Sequence, residues 1–140
     1  GLVRERSKRG ELPLAERRKV MDGNAQQFPM PAGVAVEAVD LGGLRAEWHV
    51  PEGLSGAPEE QRTILYFHGG GYVIGSPVSH RHITGRLALD AKARILSVDY
   101  ALAPEHPFPA AVHDGYDALV WAVTELLLGR NELPRIRNLS

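Results

Sequence analysis

The fold of this chain is decided by the stretch from Thr63 to Ser76, which reads TILYFHGGGYVIGS. It begins with a short, continuous apolar run, residues 63–67, which predicts a strand covered on both faces, as in a parallel sheet. His68 and three consecutive glycines follow this run directly. Ligands of open α/β sheets bind at the carboxyl ends of the strands, so this loop is the first candidate for a functional site.

Two helices are predicted after this loop, over residues 80–91 and 111–128. Their apolar residues recur at helical spacing and predict the faces that pack on the sheet. On the first helix these residues are Ile83, Leu87 and Ala91. On the second helix they are Val112, Tyr116, Leu119, Val120, Val123 and Leu127. Gly129 is predicted to end the second helix.

The strands on either side of the glycine loop set the fold class. Residues 94–99 form a second apolar run between the two helices, so the order strand, helix, strand, helix predicts a parallel sheet with right-handed crossovers. Residues 34–50 alternate apolar and polar around Gly42 and Gly43, which predicts an antiparallel hairpin with one buried and one wet face. The fold class is α/β, an antiparallel hairpin followed by a βαβα parallel-sheet run.

Composition limits the class of protein further. The chain has 140 residues, of which 44% are hydrophobic and 24% charged, as in a globular domain and unlike a disordered or fibrous chain. No apolar run approaches the roughly 20 residues of a membrane span. Cysteine is absent, which excludes disulfides and thiolate metal sites, and a net charge of −1 predicts no nucleic-acid partner.

The glycine loop itself allows three interpretations. Backbone N–H groups that carry no side chain can approach a phosphate, or the oxyanion that forms during acyl transfer. Phosphate binding is disfavoured because the P-loop-like spacing from Gly70 to Gly75 and Ser76 lacks the lysine, and because Ile74 replaces the third glycine of a dinucleotide loop. The third interpretation is a glycine turn that serves only close packing.

Two motifs give the chain a resemblance to a known family. The first is HGGGY at residues 68–72, and the second is DYALAPEHPFPAA at residues 99–111. In this order, with a helix between them, they resemble the hormone-sensitive-lipase-like esterases, the α/β-hydrolase fold-3 group. The likeness covers about residues 28–125. It implies an α/β-hydrolase fold, incomplete in this chain, and serine-dependent hydrolysis of small carboxylic esters without a cofactor.

The resemblance also implies roles for single residues. The oxyanion-hole N–H donors would be those of Gly70 and Gly71. Support of the loop would come from His68, Gly69, Tyr72, Asp99, Glu105 and Asp114. His68 would hold the loop by hydrogen bonds and not act as a base, while Glu105 and Asp114 would pair with backbone or arginine groups. The family usually carries Arg or Lys at the position of Ala101, so one ion-pair partner is expected to be missing.

The nucleophile is the part of this machinery that the sequence does not provide. The fold needs a serine in a G-x-S-x-G elbow, then an acid, then a histidine. None of the six serines lies in that motif, and the nearest match, around Ser55, precedes the first buried strand. The strand before the elbow is expected to begin near Ile136, four residues before the last residue, Ser140. We therefore expect a truncated or frame-shifted sequence that is inactive alone.

Charge divides the chain into two predicted parts. Residues 1–20 carry seven basic and three acidic side chains, a balance of +4. We interpret residues 1–27 as a basic, partly helical, cap-like segment and residues 28–140 as the partial α/β-hydrolase domain. No apolar centre of a signal peptide is present in the basic segment, so cytoplasmic is the default expectation for localisation.

Six histidines raise the question of a metal site. His80 and His82 are separated by one residue, and side chains at i and i+2 point apart on a helix. No carboxylate stands at a useful spacing beside them. We therefore predict solvated histidines and no bound metal.

Three functions remain open from the sequence. The first is a carboxylic-ester hydrolase, of which this chain carries the oxyanion-hole half and whose partner is a small ester. The second is a binding module whose glycine loop holds an anion or acyl group without turnover. The third is a non-catalytic remnant that self-associates through an exposed sheet edge.

Overall fold

The computed structural model describes residues 12–56 and 60–127. Its helices are α1 (Leu14–Gly23), α2 (Arg81–Ala91) and α3 (Ala110–Leu127). Its strands are β1 (Val34–Asp40), β2 (Arg45–Pro51), β3 (Thr63–Phe67) and β4 (Arg94–Val98). Single turns of 3-10 helix cover Asn24–Gln26 and Val78–His80. The predicted helix end at Gly129 and the predicted strand near Ile136 lie outside the described residues.

The strands form one mixed sheet in the order β1-β2-β4-β3. β1 and β2 pair antiparallel, which confirms the predicted hairpin, and β3 and β4 pair parallel through the crossover helix α2, which confirms the predicted βαβ unit. β4 lies between β2 and β3 and pairs antiparallel with β2. The carboxyl ends of β3 and β4 therefore lie side by side, and the two family-like motifs begin there.

Helices cover both faces of the sheet at its centre, so the prediction of a wet face on the hairpin is wrong for most of β2: on that face Arg45 is exposed, but Glu47 is half-buried and His49 is buried. Ala46 and Trp48 belong to the core that also contains Ala118 of α3. His49 points to the opposite face and is fully buried, because α2 covers it and the Thr84 hydroxyl lies 2.8 Å from its Nδ1. Alternation shows which side chains share a face, but not what covers that face.

The most buried strand is β4, and the prediction that β3 is covered on both faces is wrong. Ile95, Leu96 and Val98 are fully buried. β3 is only half-buried along its length and Phe67 is 41% exposed, because within the described residues β3 has a neighbour on one side only. An apolar run indicates a strand, but its position in the sheet decides the burial.

The helices also turn other faces to the sheet than the predicted ones. On α2 the buried residues are Thr84, Gly85 and Ala88, while Ile83 is 44% exposed. A Cβ at Gly85 would collide with Met30 and Pro31, so only glycine lets this helix approach that segment. On α3, small residues such as Ala118 and Ala122 face the core. Four of the predicted core residues of α3 are exposed, namely Val112, Tyr116, Leu119 and Val123.

A charged cluster joins β2 to α2 on the face of the sheet that α2 covers. The Glu47 carboxylate accepts hydrogen bonds from Arg81 Nη2 (2.5 Å) and Nε (3.1 Å), and lies 2.8 Å from His49 Nε2. Burial would raise the pKa of Glu47, but the hydrogen bonds from His49 and Arg81 outweigh it and lower the pKa from 4.5 to about 2. With this lowered pKa the carboxylate is ionised at neutral pH. Its side chain is 16% exposed and therefore largely shielded from water.

Within the described residues, no helix combines the length and apolarity that crossing a bilayer requires.

Candidate active site

The glycine loop makes a tight turn directly after β3. Its centre is Gly70, whose carbonyl oxygen accepts hydrogen bonds from the N–H groups of Val73 (3.2 Å) and Ile74 (3.1 Å). The φ of Gly70 is +133°, and a Cβ there would collide with the carbonyl oxygen of Ile74. Only glycine can occupy this position, because any side chain would open the turn.

The N–H groups of Gly70 and Gly71 are available to a ligand. Within the described residues, no backbone carbonyl accepts a hydrogen bond from either of them. Both glycines line an open pocket of about 450 Å³, whose wall includes Phe67, Tyr72 and Val112. Donors beside an apolar wall suit a ligand with one polar oxygen and a small apolar group.

His68 fixes the base of the loop. It is 2% exposed, its Nδ1 donates to the carbonyl oxygen of Gly69 (2.8 Å), and its ring stacks on Tyr100 at a centroid distance of 4.4 Å. The Tyr100 hydroxyl donates to the His68 carbonyl oxygen (2.5 Å). Burial lowers the pKa of His68 and favours the neutral ring. The contacts of this buried ring thus join the carboxyl end of β3 to Gly69 and Tyr100.

Burial contradicts the prediction that the histidines are solvated. Like His68, His49 and His80 are buried, whereas His106 and His113 are exposed. His80 lies 2.9 Å from the Ser79 hydroxyl and 5.4 Å from the His68 ring centroid, so it belongs to the packing beneath the loop. Among residues 12–56 and 60–127, no cluster of His, Asp and Glu is arranged to hold a metal ion.

The second motif forms the loop that faces the glycine loop. The N–H of Ala103 donates to the carbonyl oxygen of Tyr72 (2.8 Å), and Tyr72 has a φ of +65°, unusual for a residue other than glycine. Buried Asp114 of α3 accepts a hydrogen bond from the N–H of Ala101 (2.8 Å). The two loops are thus bonded directly to each other, and α3 holds the start of the second one.

The structure does not place all the predicted support residues at the pocket. His68, Gly69 and Tyr72 line it together with Gly70 and Gly71. Asp114 and Glu105 lie outside it: Asp114 accepts from the N–H of Ala101, and Glu105 contacts Arg18. Asp99 lines two other grooves beside Arg45, and its side chain is exposed.

Sequence reasoning missed two residues that hold these loops, Tyr100 and Arg18. Tyr100 was part of the quoted motif, but its contact with His68 required the sheet pairing that brings β3 and β4 together. Arg18 of α1 contacts the Glu105 carboxylate through Nη1 and donates to the carbonyl oxygen of Ala103 (2.9 Å). The one available signal was Ala101. The family usually has Arg or Lys there, so its absence indicated that Glu105 could pair with a cation from another part of the chain.

A parallel βαβ unit with a glycine loop after its first strand occurs in nucleotide-binding folds as well as in α/β hydrolases, so the comparisons with known proteins decide between these classes. A family profile described as the alpha/beta hydrolase fold matches residues 64–131. The chain is similar to a crystal structure of a hormone-sensitive lipase from a metagenome library, with 38% identity and a TM-score of 0.76 over 89% of this chain and 41% of that chain. The chain belongs to the hormone-sensitive-lipase-like family of α/β hydrolases, which confirms the resemblance.

Its relatives are esterases. An acetyl-hydrolase of Streptomyces hygroscopicus is 41% identical over 104 residues, which is 74% of this chain and 33% of that protein. An esterase/lipase structure from an uncultured bacterium is 42% identical, with a TM-score of 0.75 over 84% of this chain and 38% of that chain. The match thus covers between 18% and 33% of the length of the curated relatives.

Proposed function

We propose that this chain supplies the oxyanion-hole half of a serine carboxylic-ester hydrolase. The observation that carries the proposal is the pair of N–H groups, at Gly70 and Gly71, that line a partly apolar pocket and donate to no backbone carbonyl of the described residues. When a serine attacks an ester, the carbonyl oxygen gains negative charge and moves toward such donors. Each donor typically contributes about 2.7–4 kcal/mol to lowering the barrier.

The value of such donors depends on their being fixed before the reaction. Two contacts support this here: the hydrogen bonds of Val73 and Ile74 to the Gly70 carbonyl, and the hydrogen bond from Tyr100 to the His68 carbonyl. Because the peptide dipoles are already oriented, the forming oxyanion does not have to reorganise its surroundings. The small apolar wall favours esters with a short acyl group.

We further propose that the 140-residue chain does not turn esters over by itself. No G-x-S-x-G motif occurs in its sequence, and within the described residues no serine lines the pocket. The serine, its acid and its histidine would have to come from a further part of the fold, since the matched segment makes up only 33% of the acetyl-hydrolase.

A turnover assay tests whether this chain lacks the nucleophile and supplies the oxyanion hole. The purified 140-residue chain is expected to hydrolyse nitrophenyl acetate no faster than buffer, because the attacking group is missing. A fusion protein, in which the full chain precedes the part of the uncultured-bacterium esterase/lipase that follows its matching segment, is expected to be active. Serine-inhibitor-sensitive activity of the chain alone would contradict the proposed lack of a nucleophile, and an inactive but folded fusion protein would contradict the oxyanion role.

The second candidate function is binding of a carboxylate or acyl group without turnover. It is favoured by the same free N–H groups in a pocket that no serine lines. Titration of the 140-residue chain with butyrate, followed by the amide resonances of Gly70 and Gly71, distinguishes the two. Saturable shifts below about 1 mM would support a binding module, since millimolar affinity is only about −4 kcal/mol. For the hydrolase half we expect weaker, non-saturating shifts.

A further inference from the structure

The guanidinium of Arg18 lies where α1 meets both loops of the candidate site. Its Nε donates to the carbonyl oxygen of Val73 (2.8 Å) and its Nη2 to the carbonyl oxygen of Ala103 (2.9 Å). Its Nη1 contacts the Glu105 carboxylate. One side chain thus uses three of its nitrogens on two loops, a task for which the rigid, planar fork of arginine is suited.

Both carbonyl acceptors lie next to the oxyanion turn. The N–H of Val73 donates to the carbonyl oxygen of Gly70, and the carbonyl oxygen of Val73 accepts from Arg18. Val73 therefore connects Arg18 to that turn. Ala103 donates its N–H to Tyr72, the residue after Gly71. The two carbonyl contacts of Arg18 are therefore one hydrogen bond away from Gly70 and from the residue that follows Gly71, respectively.

The attachment of α1 to the rest of the chain is polar. No residue of α1 is buried. Asp22, one turn after Arg18, accepts a hydrogen bond from the hydroxyl of Ser76 at the end of the glycine loop (2.5 Å). Residues at i and i+4 share one face of a helix, so this face of α1 holds the glycine loop at two points, Val73 and Ser76.

We propose that Arg18 is a positioning residue, through which the docking of α1 sets the geometry of the oxyanion loop. The proposal rests on the proposed function of Gly70 and Gly71 and extends it to the predicted cap-like segment, residues 1–27. When α1 is docked, Arg18 holds Val73 and Ala103 at a fixed separation and the turn at Gly70 is closed. When α1 is undocked, the turn loses this restraint while the sheet remains intact.

The first test uses the 140-residue chain and needs no turnover. Arg18→Met is expected to accelerate amide hydrogen exchange at Val73 and Ile74, the donors to Gly70, by about tenfold, a typical effect of losing charge-assisted hydrogen bonds. Arg18→Lys is expected to behave like Arg18→Met, because an ammonium group cannot span three acceptors. Lys19→Met removes a neighbouring exposed charge of the same helix and is expected to leave the exchange unchanged.

The second test separates positioning from mere stability. In the fusion protein, Arg18→Met and Arg18→Lys are expected to lower kcat about tenfold with KM within twofold, because the oxyanion contacts act mainly in the transition state. Glu105→Gln, which weakens one of the three contacts, is expected to give a smaller loss. Assays run well below each variant's unfolding temperature, so that global unfolding does not contribute.

The outcomes separate the inference from the function on which it rests. If Arg18→Met leaves kcat and the exchange rates unchanged while a Gly70 substitution abolishes activity, Arg18 has no positioning role and the oxyanion assignment stands. If kcat recovers fully in Arg18→Lys, charge and not the three-way geometry is responsible, and the inference is wrong. If the Gly70 substitution is also without effect, the proposed function itself fails.

Discussion

Replacing Gly70 with alanine in the fusion protein is expected to lower kcat for nitrophenyl acetate by about 100- to 1,000-fold, the usual effect of losing one oxyanion-hole donor. The added Cβ would collide with the carbonyl oxygen of Ile74, and the φ of +133° is unfavourable for alanine. The turn must open to relieve both, which moves the N–H groups of Gly70 and Gly71 away from the reacting oxygen. Steady-state hydrolysis measures kcat and KM separately, and KM is expected to change little.

Gly69→Ala is the matched comparison for this loss. A Cβ at Gly69 would meet no atom within 4 Å, and its φ lies outside the left-handed range. The same alanine, one residue earlier, is therefore expected to change kcat less than about fivefold. Equal losses at both positions would mean that the loop responds to any substitution, and no loss at Gly70 would remove the basis of the proposed function. Thermal unfolding of each variant verifies that the fold persists.

Removing the charge of Glu47 should have the largest effect on stability. Glu47→Gln in the 140-residue chain is expected to lower the free energy of unfolding by about 2 kcal/mol, because this partly buried carboxylate loses charge-assisted hydrogen bonds. Arg81 and His49 would keep their positions between β2 and α2 but lose the carboxylate that both contact. Urea unfolding measures the change. Glu52→Gln, at an exposed position, is the control and should stay within about 0.5 kcal/mol.

The same carboxylate predicts a pH dependence. The pKa of Glu47 is about 2 in the folded chain and 4.5 as its ordinary value, so the folded state binds this proton less readily than the unfolded state. Its contribution is therefore complete above about pH 4.5 and is lost as the pH falls toward 2. Glu47→Gln should lack this part of the acid destabilisation. If both proteins lose stability in parallel from pH 5 to 3, Glu47 does not have the lowered pKa.

Much of the fold could be predicted from local patterns in the sequence, and the predictions that were wrong have a common cause. The hairpin, the parallel pair and the helix positions could be predicted because apolar period and glycine turns are local properties of the sequence. The burial of His49 could not, since it depends on α2 crossing beneath β2. Likewise, α3 is apolar on more than one side, and its helical period does not show that Ala118 and Ala122 face the core while Leu119 and Val123 are exposed.

The residues of the candidate site also fall into those that the sequence indicated and those that it did not. The resemblance to the family implied Gly70 and Gly71, whose roles remain a proposal, whereas the row of glycines alone left phosphate binding, oxyanion binding and a packing turn open. Arg18 was not found, since it lies 55 residues before Val73 and no local spacing relates the two. Long-range partners of this kind become visible only when the chain path is known.

Because β4 lies between β2 and β3, the candidate site forms only when distant parts of the chain have paired. Val98 pairs with Ala46 on one side and with Phe67 on the other, so β4 joins segments that are far apart in sequence. Such distant pairings close large loops and form slowly compared with helices. Tyr100 follows β4 by two residues and can reach His68 only after this insertion. We therefore expect the glycine loop to acquire its fixed shape only when β4 has paired with both of its neighbours, and not with the β1–β2 hairpin alone.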